Sequence, residues 1–87
     1  MISQALPRFW SRYRALPEPV RRSARAAYTR FATDPFHPSL RFKELNGYPN
    51  IWSCRINDSY RAVGRRNGDV VVWFWIGSHA DFDRDFN

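Results

Sequence analysis

The sequence predicts an α+β fold: an N-terminal helical hairpin packed on a small, mainly antiparallel sheet of three to four strands, closed by a short C-terminal helix. Three observations carry this expectation. Apolar residues in the first third recur at helical spacing, and after Asn50 the period drops to two. Asn67-Gly68 then separates two strand-like runs, a strong two-residue hairpin signal. With 87 residues the chain is expected to be one domain, residues 1–87, because domains usually take ~100–200 residues.

The first helix rests on Leu6, Phe9, Trp10, Tyr13 and Leu16, which fall on one face at i, i+3, i+4, i+7 and i+10. Pro7 suits its first turn, where a missing N–H costs nothing. Leu16-Pro17-Glu18-Pro19 ends it, since a residue before proline is driven out of the α region. Val20, Ala24, Ala27, Tyr28 and Phe31 form the stripe of a second helix, with Arg21, Arg22 and Arg25 beside and opposite it. Asp34-Pro35-Phe36-His37-Pro38 reads as a loop, and Leu40–Leu45 is ambiguous. Trp52, Cys54 and Ile56 alternate with Ser53 and Arg55 in a half-buried strand. Tyr60, Ala62 and Gly64 alternate with Arg61, Val63 and Arg65 in a second. Val70–Ile76 is apolar throughout, so it is expected at the sheet centre, buried on both faces, with Trp73 and Trp75 on one face opposite Phe74. Ser78 and Asp81 have the spacing of a capping pair for the last helix, which Phe82 and Phe86 would dock.

Composition narrows the class. Fourteen basic residues, thirteen of them Arg, against eight acidic ones give a net charge of +6, and 17% of the chain is aromatic. So many aromatics argue against disorder. Cys54 is the only cysteine, which excludes a disulfide scaffold and suits a reducing, cytoplasmic setting. No apolar run approaches the ~20 residues of a membrane span, and no secretory leader is evident. The charge is also uneven. Residues 1–30 hold seven Arg and one acid, whereas residues 67–87 hold one Arg and four Asp. A basic front and an acidic tail suggest a face for a polyanion and a separate C-terminal feature. One Cys and two distant His give no metal-ligand spacing, and no glycine-rich phosphate loop exists, so no cofactor or metal is expected. Cys54, alternating inward, is expected to be a buried hydrophobe.

Several segments together resemble the RelE/ParE superfamily of bacterial type II toxin–antitoxin toxins. They are Leu40-Arg41-Phe42-Lys43-Glu44-Leu45, Trp52-Ser53-Cys54-Arg55-Ile56, Tyr60-Arg61-Ala62-Val63, and Trp73 through Gly77-Ser78-His79-Ala80-Asp81-Phe82. The resemblance spans about residues 16–86. It implies a RelE/ParE-like fold and one of two activities. RelE-like members cut mRNA in the ribosomal A site without metal; ParE-like members poison DNA gyrase. A third possibility is a non-catalytic member that only binds its antitoxin. The superfamily also usually begins with an extra β-strand; with only Met1–Ala5 ahead of the first helix, that strand is expected to be absent or vestigial.

Metal-free RNA cleavage needs a base for the 2′-hydroxyl, an acid for the leaving oxygen, and cations over the crowded phosphorane. His79 is the acid–base candidate, since imidazole titrates near pH ~6.5; Asp81 could orient it. Arg61 is the phosphate clamp, because a guanidinium fork meets two phosphate oxygens at once. Lys43 joins the catalytic set. Arg41, Arg55 and Arg65 are expected to extend the cationic surface, with Arg21, Arg22 and Arg25 tracking RNA backbone and Phe82 stacking on a base. Phe82 stands where several relatives carry Tyr, which removes a proton donor. Each has a plainer reading: His79 as a cap, Arg61 in a cross-sheet ion pair, the helix arginines as a solvated face, and His37 as a structural loop histidine. The expected partners are mRNA and the ribosome, or alternatively gyrase, together with an antitoxin whose acidic amphipathic segment wraps the basic face and helices. A chain this short buries only ~60–70% of its unfolded surface, so such a partner would add stability.

Overall fold

The computed structural model describes residues 1–86. Its elements are β1 (Ile2–Ala5), α1 (Pro7–Arg14), α2 (Glu18–Thr33), a 3-10 turn (Pro38–Leu40), β2 (Lys43–Glu44), β3 (Ile51–Asn57), β4 (Tyr60–Asn67), β5 (Val70–Ser78) and α3 (His79–Asp85). The sheet has five strands in the order β1-β5-β4-β3-β2. All neighbours are antiparallel except β1 and β5.

The leading strand is therefore present. Ile2–Ala5 pairs in parallel with Val70–Trp73, and Ile2 N–H donates to Asp69 O at 2.7 Å. Four residues suffice because β5 supplies the template. β2, two residues long, is the fifth strand and places Lys43, from the ambiguous Leu40–Leu45 stretch, on the sheet. The centre of the sheet is β4, and β5 lies between it and β1.

One layer of helix covers one sheet face. The α2 stripe of Ala24, Ala27 and Phe31 packs with Leu40, Phe42, Cys54, Ala62, Val71, Trp73 and Ile76. Phe31 is 2% exposed, and burying such a side chain contributes ~1.5–3 kcal/mol. Its ring meets Phe42 and Trp73 edge-on at 4.9 and 5.4 Å. Cys54 is buried among them as a free thiol, as its alternation implied. Burial pushes this thiol's pKa up to about 12. On the other face α3 lies over β5, its Phe82 and Phe86 packing on Trp75 at 6.1 and 5.3 Å. Ser78 caps α3, its Oγ accepting from Asp81 N–H at 3.1 Å.

The two tryptophans of β5 thus lie on opposite faces, contrary to the period-two reading. The register explains it: Val63 pairs with Trp75 and Gly64 with Trp73, which leaves Phe74 without a partner. That extra residue is a β-bulge, and it reverses the side-chain phase of everything beyond it. Gly64 makes room for the bulge: a Cβ there would lie 2.7 Å from Val71 Cγ1 and 2.9 Å from Trp73 Cε3.

β5 also outruns β1. After Trp73 its outer edge has no strand beside it, because β1 ends at Ala5. α1 occupies that edge, and Arg12 Nε donates to Ile76 O at 2.8 Å. Between α1 and α2 runs a groove of about 620 Å³ with Phe9, Trp10 and Tyr13 on one wall, Ala24, Ala27 and Tyr28 on the other. Arg25 Nη1 donates to Tyr13 Oη across it at 2.9 Å.

Candidate functional site

Directly opposed residues in a sheet share a face, so the register assigns the surface opposite α2. One row across the strands is Lys43, Ser53, Val63 and Trp75. The next is Arg55, Arg61 and Gly77; a third, toward the other end, is Ile51, Arg65 and Val72. α3 shields Trp75 and Val63 is fully buried, while Lys43 and Arg65 stay exposed.

One end of this face is strongly cationic. Arg61 Nη1 donates to Asn57 O and Tyr60 O at 2.9 and 3.1 Å, which ties the guanidinium to the β3–β4 turn. Partial burial lowers its pKa from the ordinary arginine value; the charges of Arg55 and Arg41 add to this, and Asp58 and Asp83 oppose it. A guanidinium desolvated among like charges gains from an incoming anion. Arg41 approaches from a left-handed backbone conformation, φ 45°, at the end of the 3-10 turn. Arg55 is paired with Asp58 and also donates to Ser39 O at 3.4 Å.

His79 opens α3 at the same end, with its backbone N–H bonded to Ser59 O at 2.6 Å. Nε2 lies 3.3 Å from Asp83 Oδ2, one helical turn on. The carboxylate at the ring is thus Asp83 and not Asp81, which faces Arg84 at 3.1 Å. Asp83 is also among the charges felt by Arg61. It joins the imidazole to the cationic cluster. Phe82 is half-buried, its ring 6.2 Å from that of His79.

Arg41, Arg55, Arg61 and His79 come together, with Lys43 on the same face. Arg65, four residues along β4 from Arg61, stands roughly 13 Å away at ~3.3 Å per residue. Arg21, Arg22 and Arg25 are elsewhere: they surround Glu18 at 2.9, 3.8 and 3.2 Å on α2, beyond the other face of the sheet. Hydrogen bonds from Arg25 and then Arg21 lower the Glu18 pKa. His37 holds the loop, Nδ1 accepting from Ser39 N–H at 3.1 Å. Among the described residues no three of His, Cys, Asp and Glu gather into a metal-holding group. Among the described residues, no helix is long and apolar enough to cross a membrane. Sequence reasoning missed Asp83, although the His79-to-Asp83 spacing of i, i+4 on a helix was the available signal.

Comparison with known proteins agrees with this architecture. The model of the ParE-like toxin domain family matches residues 18–84. The chain belongs to that family and so to the RelE/ParE superfamily of toxin–antitoxin toxins. A chain of the RelB–RelE antitoxin–toxin complex of Methanococcus jannaschii is similar with a TM-score of 0.77 at 16% identity, over 97% of this chain and 99% of that one. YafQ from E. coli gives 0.72 at 7% identity, over 92% and 94%. A YoeB/ParE toxin from Agrobacterium tumefaciens gives 0.67 at 18%, over 91% and 99%. At these identities the likeness is one of fold. A comparison with curated proteins returned no match.

Proposed function

We propose that this toxin is a metal-independent mRNA endoribonuclease acting on the ribosome in the bacterial cytoplasm as a single 87-residue domain. One observation carries the reading: an exposed imidazole held by a carboxylate, His79 and Asp83 at 3.3 Å, beside the half-buried Arg61 in a cationic cluster. His79 takes the 2′-hydroxyl proton as the 2′-oxygen forms its bond to phosphorus. The bond from phosphorus to the 5′-oxygen breaks, and Lys43 on the same face is the donor assigned to that oxygen. Arg61, with Arg41 and Arg55, stabilises the phosphorane charge, the largest contribution in such sites. Asp83 orients the ring. Phe82 offers a ring for base stacking and no proton.

The partner is an antitoxin with an acidic amphipathic segment. The groove between α1 and α2 suits its apolar side: Trp10 and Tyr28 on its walls are 44% and 57% exposed, the kind of surface that accepts an amphipathic helix. The arginines of α1 and α2 suit its charge.

Purified protein incubated with ribosomes and mRNA tests the activity, with a DNA supercoiling assay in parallel. Cleavage that disappears in His79→Ala supports the ribonuclease. The family's ParE-like description favours gyrase inhibition as the second reading. Growth arrest that survives both His79→Ala and Arg61→Gln, with supercoiling failing first, would establish that one instead.

A further inference from the structure

The stretch of β5 that delivers His79 is weakly supported on one side. From Phe74 to Ser78 it has β4 on one edge and no strand on the other, since β1 pairs only as far as Trp73. An unpaired edge at the root of a catalytic helix would let both move. Arg12 fills that position from α1. Its Nε meets the Ile76 carbonyl at 2.8 Å, a bond a strand neighbour would otherwise make. Its guanidinium carbon then lies 4.7 Å from the centre of the Trp75 ring, on the face that carries α3. Gly77 is what lets it pass: a Cβ there would sit 2.8 Å from Arg12 Nη2 and 2.9 Å from the Trp75 ring.

Trp75 is the seat of α3. Phe82 and Phe86 pack on it, and its Nε1 donates to Asp85 Oδ2 at 3.3 Å. The helix so seated carries both His79 and Asp83. A continuous set of contacts therefore runs from Arg12 through the Trp75 ring and the Ile76 carbonyl to the imidazole.

We infer that Arg12 is a positioning residue, which fixes His79 and Asp83 against the cationic face by pinning Trp75 and Ile76 on the open edge of β5. This rests on the reading of His79 as the acid–base group. Arg12 itself touches no substrate. It acts through α3, so its loss lowers turnover and leaves substrate affinity alone.

The test is a double-mutant cycle on the full chain with ribosome-bound mRNA. Arg12→Met is expected to lower kcat about ten- to hundredfold, the cost of slight misplacement of a reacting group, with KM little changed. In a His79→Ala background the same change is expected to cost nothing further, because both act through one group. Gly77→Ala, which crowds the guanidinium from the other side, should reproduce the effect. A second measurement needs no activity: amide hydrogen exchange should rise at His79 and along α3 in Arg12→Met, and the His79 ring 1H–15N signals should shift, while α2 stays protected. If wild type cleaves nothing, the ribonuclease reading fails and exchange still judges the positioning role. Equal losses with and without His79, unchanged α3 exchange, or exchange rising in α2 as well would each overturn the inference.

Discussion

Nε2 of His79 stands 3.3 Å from Oδ2 of Asp83, and Asp81, two residues nearer in the chain, turns away to Arg84. The two carboxylates therefore make different predictions. General acid–base catalysis contributes ~10²–10⁴-fold, so His79→Ala should lose about that much. Asp83→Asn, which keeps the shape and removes the charge, should lose about tenfold, roughly 1.4 kcal/mol of barrier. Asp81→Asn should stay near wild type. Single-turnover cleavage rates of the three variants check the ranking, and equal losses for the two aspartates would remove Asp83 from its assigned role.

The arginines divide in the same way. Arg61 is in the cationic cluster, whereas Arg22 is held near Glu18 at 3.8 Å on the far helix. For single-stranded RNA each phosphate contact contributes about 0.7 to the slope of log affinity against log salt concentration. Arg61→Gln should flatten that slope by about this amount, and Arg22→Gln should leave it unchanged. Titrations of a short RNA at several salt concentrations read both.

Gly64 faces Val71 and Trp73 across the bulge, with Val72 O a further 3.1 Å contact for any added methyl group. Backbone and fully packed side chains leave little room to adjust. Overpacking of this kind costs ~1–3 kcal/mol, and in a domain of this size each kcal/mol lowers Tm by ~4–8 °C. Thermal unfolding of Gly64→Ala should show that drop; a Tm within a degree of wild type would contradict the packing around the bulge.

The Cys54 thiol, raised by burial to about 12, bears on alkaline stability. An unfolded cysteine ionises near pH ~8.5. The unfolded state therefore loses its proton first, and folding stability, fully present below that pH, declines as pH climbs toward the folded-state value. Cys54→Ala should flatten this alkaline decline in urea-unfolding experiments. The native thiol should also react slowly with a disulfide reagent at pH 8 and rapidly once the chain is unfolded.

Elements whose information is local were legible in the sequence. The α2 stripe apart from the exposed Tyr28, the alternation of β3 and β4, and the Ser78 cap all rest on neighbours within a few residues, and each is where the pattern put it. The hairpin is also present, one residue later than expected: Asn67 closes β4 opposite Val70, and Gly68 (φ 61°) and Asp69 form the turn. β1 was not legible, because four residues give no periodicity and their partner lies at Val70–Trp73, far along the chain. The bulge was hidden by the uniformly apolar run that contains it: with no polar residues to mark phase, nothing distinguished Trp73 from Trp75. At the candidate site, Arg61 and His79 stood out by residue type and motif. Asp83 was masked by the cap spacing, which drew attention to Asp81. Arg12 meets Ile76 across 64 positions, a relationship that no local pattern encodes.

The bulge at Phe74 has an experimental use as well. It sends Trp73 to the floor of the groove between the helices and Trp75 beneath α3, on the face with Arg61. Two indoles separated by a single residue are thus optical reporters of opposite surfaces. With the other tryptophans replaced by Phe, a chain keeping Trp73 would signal the arrival of an antitoxin helix, and one keeping Trp75 would signal RNA. The two events could then be timed separately with a pair of single-tryptophan chains.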